Sequence, residues 1–497
     1  MLSITPPPQP PSYPVEISVT AEQVHVDHGT QMGMLGLSYQ RLFTPQWSAG
    51  LSAYGAVTGD RGGFFAWGAN GAHRQTWGPW QAEAGLFIGG GGGSPGWVGG
   101  GLMLRPHIEL NRTAGAWRFG IGASHVSFPN GQVESTQPYI SLRWSGTRYL
   151  GSTSGPSLID WDVNAANSFT AESELVGIVG TYQPTQPPGR GGVAKKGQMQ
   201  YGGLAYRRSL DIPTILGATP YVGLTTLGAV GGGYDGYAEL TGSVGLHWRS
   251  PQLPSLGLRI EGGIGAGGAG STVDTGGGGL AKGSGGITWQ ATPNIVASAS
   301  VGRVRSLGRF EANEARLELG WRFRDLFPSG PRDSSTGNSD ASPSQIIWAP
   351  WNVGAGWTHY AKALRDDGTT PSLGMIALRL ERQFTPNWRL VTIASTGATG
   401  RAGGYAAGQI GAAWMSSPLA NSNVQWGIEA SIGAAGGGSV TVNGGLIGQA
   451  QIQARYTLSP DWALQVDAGQ LRGLRGNLSS PLIGISLVSL FSMPEAR

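Results

Sequence analysis

Three glutamates stand at matching places in the chain. They are Glu83 in Ala82-Glu83-Ala84-Gly85, Glu261 in Ile260-Glu261-Gly262-Gly263 and Glu429 in Ile428-Glu429-Ala430-Ser431. In an extended strand each projects to the face opposite its apolar neighbours. A carboxylate so placed either tunes ion selectivity or holds a plug inside a lumen, or it pairs with an arginine of the same inward face, such as Arg379 or Arg118. Pairing is the preferred reading, although repetition alone does not separate the two.

Other chemistries are less well supplied. Ser124-His125 is the one suggestive nucleophile and base pair, and its equivalents in the other copies are Gly302-Arg303 and Gly469-Gln470. A catalytic residue set is therefore not assigned, and the chain is expected to be no enzyme. His25, His28 and His107 lack metal-ligand spacing with acidic partners, and cysteine is absent, so neither metal nor cofactor is expected. The glycine runs Gly89 to Gly93, Gly276 to Gly279 and Gly436 to Gly438 are not followed by the Lys-Ser/Thr of a phosphate loop. On strands, such runs mark close backbone approach, a bulge or a bend in a barrel wall.

The elements that must carry these residues repeat. Gly33 to Trp47 reappears without a gap as Gly374 to Trp388, and a looser copy opens at Gly202-Gly203-Leu204-Ala205-Tyr206-Arg207-Arg208. Three copies of one unit decide the architecture before any local reading does. Their boundaries are a proline-rich leader over 1–14, repeat 1 over 15–146, and a polar Pro/Gly/Ser-rich joint over 147–196 that contains the first strand of repeat 2. Repeat 2 follows over 197–326, a second joint over 327–345 and repeat 3 over 346–493.

Within each copy the period is two. Trp47, Ala49, Leu51, Ala53 and Val57 share one face, and Gln46, Ser48, Gly50, Ser52 and Tyr54 the other; in copy three Ile376, Leu378 and Leu380 oppose Arg379 and Glu381. About eight strand candidates of ten or more residues fall in each copy, starting in copy one near Val15, Met32, Trp47, Gly62, Trp80, Trp97, Trp117 and Val133. That length suits a tilted membrane-crossing strand of roughly 9–11 residues. Charged residues make up only 12%, glycine fills 86 positions, and the net charge of +4 is scattered, so a nucleic-acid surface is excluded. No stretch offers a spanning helix, and the N-terminus lacks the basic and apolar regions of a secretory signal, so that either the signal was removed or the chain is not exported.

Tryptophans recur at strand starts. Trp47 and Trp388 follow a Thr-Pro turn, Trp80 and Trp426 precede the repeated glutamate by three residues, and Trp117 and Trp462 open another equivalent strand. An interfacial aromatic girdle produces this pattern; the alternative is the core of soluble β-sandwiches.

Through Tyr39-x-Arg41-x-Phe43-Thr44-Pro45-x-Trp47 followed by an alternating strand, the sequence resembles bacterial outer-membrane β-barrel proteins as a class, porin-like and export barrels included. One departure is the chain end, where Phe491 is followed by Ser492-Met493-Pro494-Glu495-Ala496-Arg497 rather than closing on an aromatic. The expected fold is all-β, a large antiparallel transmembrane barrel of about 24 strands built from three repeats. The alternative is three tandem eight-stranded barrels. The first implies a pore or export conduit, with a bulky neutral polymer such as a polysaccharide as one cargo; the second implies a structural or adhesive protein. The expected location is the bacterial outer membrane, with its lipid and lipopolysaccharide as surroundings and a secretion or plug protein as partner. A ring of that size needs its lumen filled, and Arg190, Lys195 and Lys196 of the segment Gln183–Lys196 are the expected internal plug, together with the leader.

Overall fold

The computed structural model describes residues 12–26, 29–93, 95–151, 158–159, 168–189, 197–269, 272–328, 346–419 and 422–496. Alternation of apolar and polar residues becomes long antiparallel strands throughout. The first copy forms β1 (Ser12–His25), β2 (Gln31–Leu42), β3 (Trp47–Gly59), β4 (Phe65–Trp77), β5 (Trp80–Gly92), a single helical turn α1 (Pro95–Val98), β6 (Leu102–Ala114), β7 (Trp117–Ser127) and β8 (Glu134–Tyr149). Seven of the eight expected strand starts lie within three residues of the observed ones. Trp97 differs: it sits in α1, where the glycines around it turn the chain inward instead of extending it.

A two-residue strand, β9 (Leu158–Ile159), lies in the joint. The second copy supplies β10 (Ser168–Pro184), β11 (Met199–Ser209), β12 (Thr219–Gly231), β13 (Ala238–Arg249), β14 (Leu256–Gly268), β15 (Gly279–Gln290), β16 (Ile295–Ser306) and β17 (Glu311–Pro328). The third supplies β18 (Ile346–Tyr360), β19 (Leu373–Gln383), β20 (Trp388–Thr399), β21 (Ala406–Met415), β22 (Val424–Gly436), β23 (Leu446–Ser459), β24 (Trp462–Gly473) and β25 (Ser479–Ala496).

Among the described residues twenty-four long strands are present, and they close three times. β1 pairs with β8 from Ser12↔Tyr149 to Glu22↔Tyr139, β10 with β17 from Ser168↔Pro328 to Pro184↔Ala312, and β18 with β25 from Ile346↔Ala496 to Tyr360↔Leu482. The single ring is thus replaced by its alternative, three eight-stranded barrels in tandem. The physical reason is inside them. Inward charges cancel copy by copy, Glu16, Glu22, Glu83 and Glu109 against Arg74, Arg105, Arg118 and Arg143 in barrel 1, and short rings let every one of them reach a partner. A ring of about 24 strands, on the order of 45–50 Å across, would hold them apart in water.

The barrels stand side by side in a closed ring of their own. At the end away from the tight turns, β3 meets β14, β12 meets β22, and β20 meets β5. Each contact joins the third strand of one barrel to the fifth strand of another, a head-to-tail arrangement that closes after three steps. The glycine runs lie at these seams. Gly62 donates its N–H to the Gly276 carbonyl at 3.0 Å, and Gly403 donates to Gly99 at 3.0 Å. A Cβ on Gly277 would lie 2.3 Å from Thr58 backbone atoms, and one on Gly436 would lie 2.3 Å from the Gly236 nitrogen. Close approach is therefore what these glycines provide, between barrels rather than within one wall.

At the tight-turn end the closing strands run past the barrel walls and meet. Arg324 and Asp325 of β17 pair with Ala496 and Glu495 of β25, and Gly151 exchanges backbone hydrogen bonds of 2.9 and 2.8 Å with Ser492. Strand tilt explains why the contact line moves from the third to fifth strands at one end to the closing strands at the other. A strand of about 13 residues tilted near 40° travels ~28 Å sideways, about half of an eight-strand circumference of ~50 Å.

Candidate functional site

Each lumen is built in three layers. Nearest the tight turns, the three matched glutamates face inward and each meets arginine. In barrel 1, Arg143 reaches Glu83 at 2.6 Å and Glu109 at 2.9 Å, and Arg74 bridges Glu83 at 2.8 Å to Glu16 at 2.6 Å. In barrel 2, Arg207 lies 3.0 Å from Glu261 and 2.7 Å from Glu318, and Arg316 lies 3.3 and 3.1 Å from the same two. In barrel 3, Arg379 holds Glu429 and, at 2.5 Å, Glu381, which also takes Arg455 at 2.7 Å and Arg389 at 3.2 Å. Glu83, Glu261, Glu429 and Arg379 are all buried inside the barrels, each in an ion pair.

The middle layer differs between barrels. Barrel 1 places Arg105 against Glu22 at 2.8 Å, and barrel 2 places Lys282 against Glu239 at 2.6 Å and Glu314 at 3.2 Å. Barrel 3 has no ion pair at this height among the described residues. Ser431 donates to Gln409 at 2.7 Å, Gln409 to Gln449 at 3.2 Å, Gln449 to Gln451 at 2.7 Å, and Gln451 to Glu429 at 3.2 Å.

Above this lies an apolar cap at the glycine end of every barrel. Barrel 1 is filled by Phe64, Phe87, Trp97 and Phe128 with Val98 and Met34; barrel 2 by Tyr182, Tyr201, Tyr234, Tyr237 and Phe310. Barrel 3 uses Tyr360 and Tyr405 among smaller residues such as Ala363, Ala402, Ala407 and Ala435. With ion pairs below and rings above, an eight-stranded barrel is filled by its own side chains.

The outer walls are the reverse. Ile121, Ile140, Ile264, Val301, Leu317 and Ile452 are each more than half exposed, and such residues recur around all three barrels. A water-facing surface rarely carries so large a contiguous apolar area; hydrocarbon is its natural solvent. Trp47, Trp80, Trp117, Trp388 and Trp426 are exposed on the outer walls at the tight-turn end, and Trp462 is half-buried there. They form one belt, with Trp47 edge-on to His73 at 4.7 Å and Trp414 to Trp426 at 5.0 Å.

Ser124 and His125 fall on opposite faces of β7. Ser124 Oγ hydrogen-bonds Glu22 inside the lumen, while the His125 ring sits outside against Thr136 at 2.8 Å. Successive strand residues diverge, so they cannot act as nucleophile and base. His107 lies inside, 3.3 Å from Glu83; His25 is exposed; His28 lies outside the described residues. No three acidic or histidine side chains among the described residues are grouped to hold a metal. Arg190, Lys195 and Lys196 also lie outside the described residues, and without a wide lumen there is nothing for a plug of that kind to fill. The described part of that segment, up to Gly189, runs over the glycine end of barrel 2, where the Pro188 carbonyl accepts from Asp274 at 2.6 Å.

The residues that sequence reasoning missed are the cations of the lumens, Arg74, Arg105, Arg143, Lys282, Arg316 and Arg455. Their signal was present, because each stands on inward parity in its strand.

No protein-family model matches the chain, and no curated protein sequence matches it. Among solved structures, the siderophore receptor PirA from Pseudomonas aeruginosa aligns over 98% of this chain and 81% of its own, with 11% identity and a TM-score of 0.27. OccK5 (OpdH) from the same organism aligns over 97% and 98%, with 11% identity and a TM-score of 0.21. A bacterial polysaccharide outer membrane secretin aligns over 96% and 97%, with 6% identity and a TM-score of 0.21. Superpositions this loose say nothing of closure or cargo. Strands of membrane-crossing length, an apolar exterior and an aromatic belt make this chain a transmembrane β-barrel of the outer-membrane type.

Proposed function

We propose that the chain is a bacterial outer-membrane protein of the pore or transport class whose three lumens are closed at rest, so that it passes only ions and small solutes, one barrel at a time. The observation that carries this reading is the layer of buried ion pairs held inside every lumen. A barrel that needs only filling is stabilised as well or better by apolar side chains, so charges kept at membrane depth point to use. Arginines that sit between two carboxylates at nearly equal distances, as Arg143 and Arg316 do, exchange partners without ever losing one. That exchange is a route for opening. The caps act in series with it, as hydrophobic constrictions that exclude water until they move.

A polymer such as a polysaccharide has no passage of its own width through an eight-stranded ring. The reading is non-enzymatic, and the apolar belt would be solvated by outer-membrane lipid and lipopolysaccharide. In planar bilayers the intact protein is expected to give small, flickering currents. Large, stable openings would contradict closed lumens. Silence in verified insertions would favour a second reading, a structural scaffold, which the packed aromatic cap of barrel 1 supports.

A further inference from the structure

The three lumens share their charged layer and part company directly beneath the cap. Equivalent sixth strands carry the key position: Arg105 of β6 follows the cap residue Met103, Lys282 of β15 follows Leu280, and Gln449 of β23 follows Ile447. Barrels 1 and 2 therefore keep an ion pair under the cap, whereas barrel 3 keeps two amides and a hydroxyl.

We infer that barrel 3 is the route for small uncharged polyhydroxy solutes of about glycerol size, a reading that rests on the passage of solutes through single lumens. Three observations bear on it. First, Gln409 and Gln449 each carry both a donor and an acceptor, so a solute hydroxyl can replace either partner in the relay from Ser431 to Glu429 without uncovering a charge. Displacing Arg105 from Glu22 would strand a buried charge, which costs several times more. Second, several buried polar atoms of this lumen have no hydrogen-bond partner among the described residues, and they include Gln453 Nε2 in the charged layer and the Tyr405 hydroxyl in the cap. Both side chains are at least 97% buried, so they face the lumen and not solvent. Buried polar groups are rarely left unmatched, and a transient hydroxyl partner at each height would match them. Third, the cap of barrel 3 carries two aromatic rings, Tyr360 and Tyr405, where that of barrel 1 carries Tyr54, Phe64, Phe87, Trp97 and Phe128, so less volume must move to admit a solute.

The test is swelling of proteoliposomes holding the full chain in an inward glycerol gradient, followed by light scattering. Wild type is expected to swell faster than protein-free vesicles. Gln449→Leu, which breaks the relay and leaves Gln409 and Gln451 unmatched, is expected to slow glycerol entry by about tenfold. Ser52→Leu, within barrel 1, is expected to leave it unchanged. Heat-modifiable gel migration checks folding of each variant, and Gln449→Glu, which keeps the volume but adds a charge, is expected to slow glycerol as well if the leucine variant does not fold. Glycerol entry at the protein-free rate, or equal slowing by Ser52→Leu, would overturn the inference. Potassium currents that persist while glycerol is excluded would overturn it alone and leave the pore reading standing; glycerol entry without ion currents would do the reverse.

Discussion

The two ends of the molecule join the same three barrels in different ways. At the glycine end the seams are equivalent, third strand against fifth strand all the way round, and they are made of backbone brought close by missing side chains. At the tight-turn end they are unequal. Barrels 2 and 3 are zipped by strand pairing between β17 and β25 and by Arg382, which lies 3.5 Å over the Trp321 ring and 2.5 Å from Glu495. Barrel 1 joins through Arg148, 4.1 Å over Phe327, and the Gly151 to Ser492 bridge. Symmetry survives where only hairpin loops meet. It is lost where the chain passes from one barrel to the next and each joint has its own sequence.

The largest expected effect belongs to the unequal end. Arg382→Ala removes a guanidinium that is 5% exposed and leaves Glu495, 4% exposed, without it. A loss of about 3–5 kcal/mol follows for a broken buried pair, read as a lower denaturant midpoint for barrels 2 and 3 in detergent. Arg41→Ala, at the equivalent place in barrel 1 and stacked on Tyr13 and Phe43, should cost far less, about 1 kcal/mol. Equal losses would erase the distinction between the ends.

Next come the glycine seams. Gly277→Val, Gly436→Val and Gly100→Val each push a side chain into the neighbouring barrel's backbone, at about 1–3 kcal/mol apiece. In a closed ring any one break leaves two seams holding. Single variants should therefore keep the barrels together in cross-linking, and a double variant of Gly277 and Gly436 should release barrel 2 at this end. Release by single variants would mean that the ring does not close.

The smallest effect is expected at the belt. Trp47→Ala and Trp388→Ala each lose one interfacial ring, about 1 kcal/mol, and should match one another because both lie on the outer wall at the tight-turn end. Thermal migration shifts that differ clearly between the two would show that one of them faces a seam.

Much of this was legible in the residues. Period two, strand length, low charge and the repeat of Gly33 to Trp47 dictate twenty-four two-faced strands, because one side chain in two must meet a different solvent. Parity also placed Glu83, Glu261 and Glu429 inside, and the recurrent tryptophans at one end. Closure was not legible. An edge strand such as β8 offers the same unpaired backbone to β1 or to β10, and hydrogen bonds carry no label for copy. What decides is side-chain reach in three dimensions: Arg74, Arg105, Arg118 and Arg143 find four acids only when their own copy closes on itself. Nor does any run of glycine say whose backbone it approaches. Gly277 touches Thr58, more than two hundred positions earlier in the chain, and only the packed ring brings the two together.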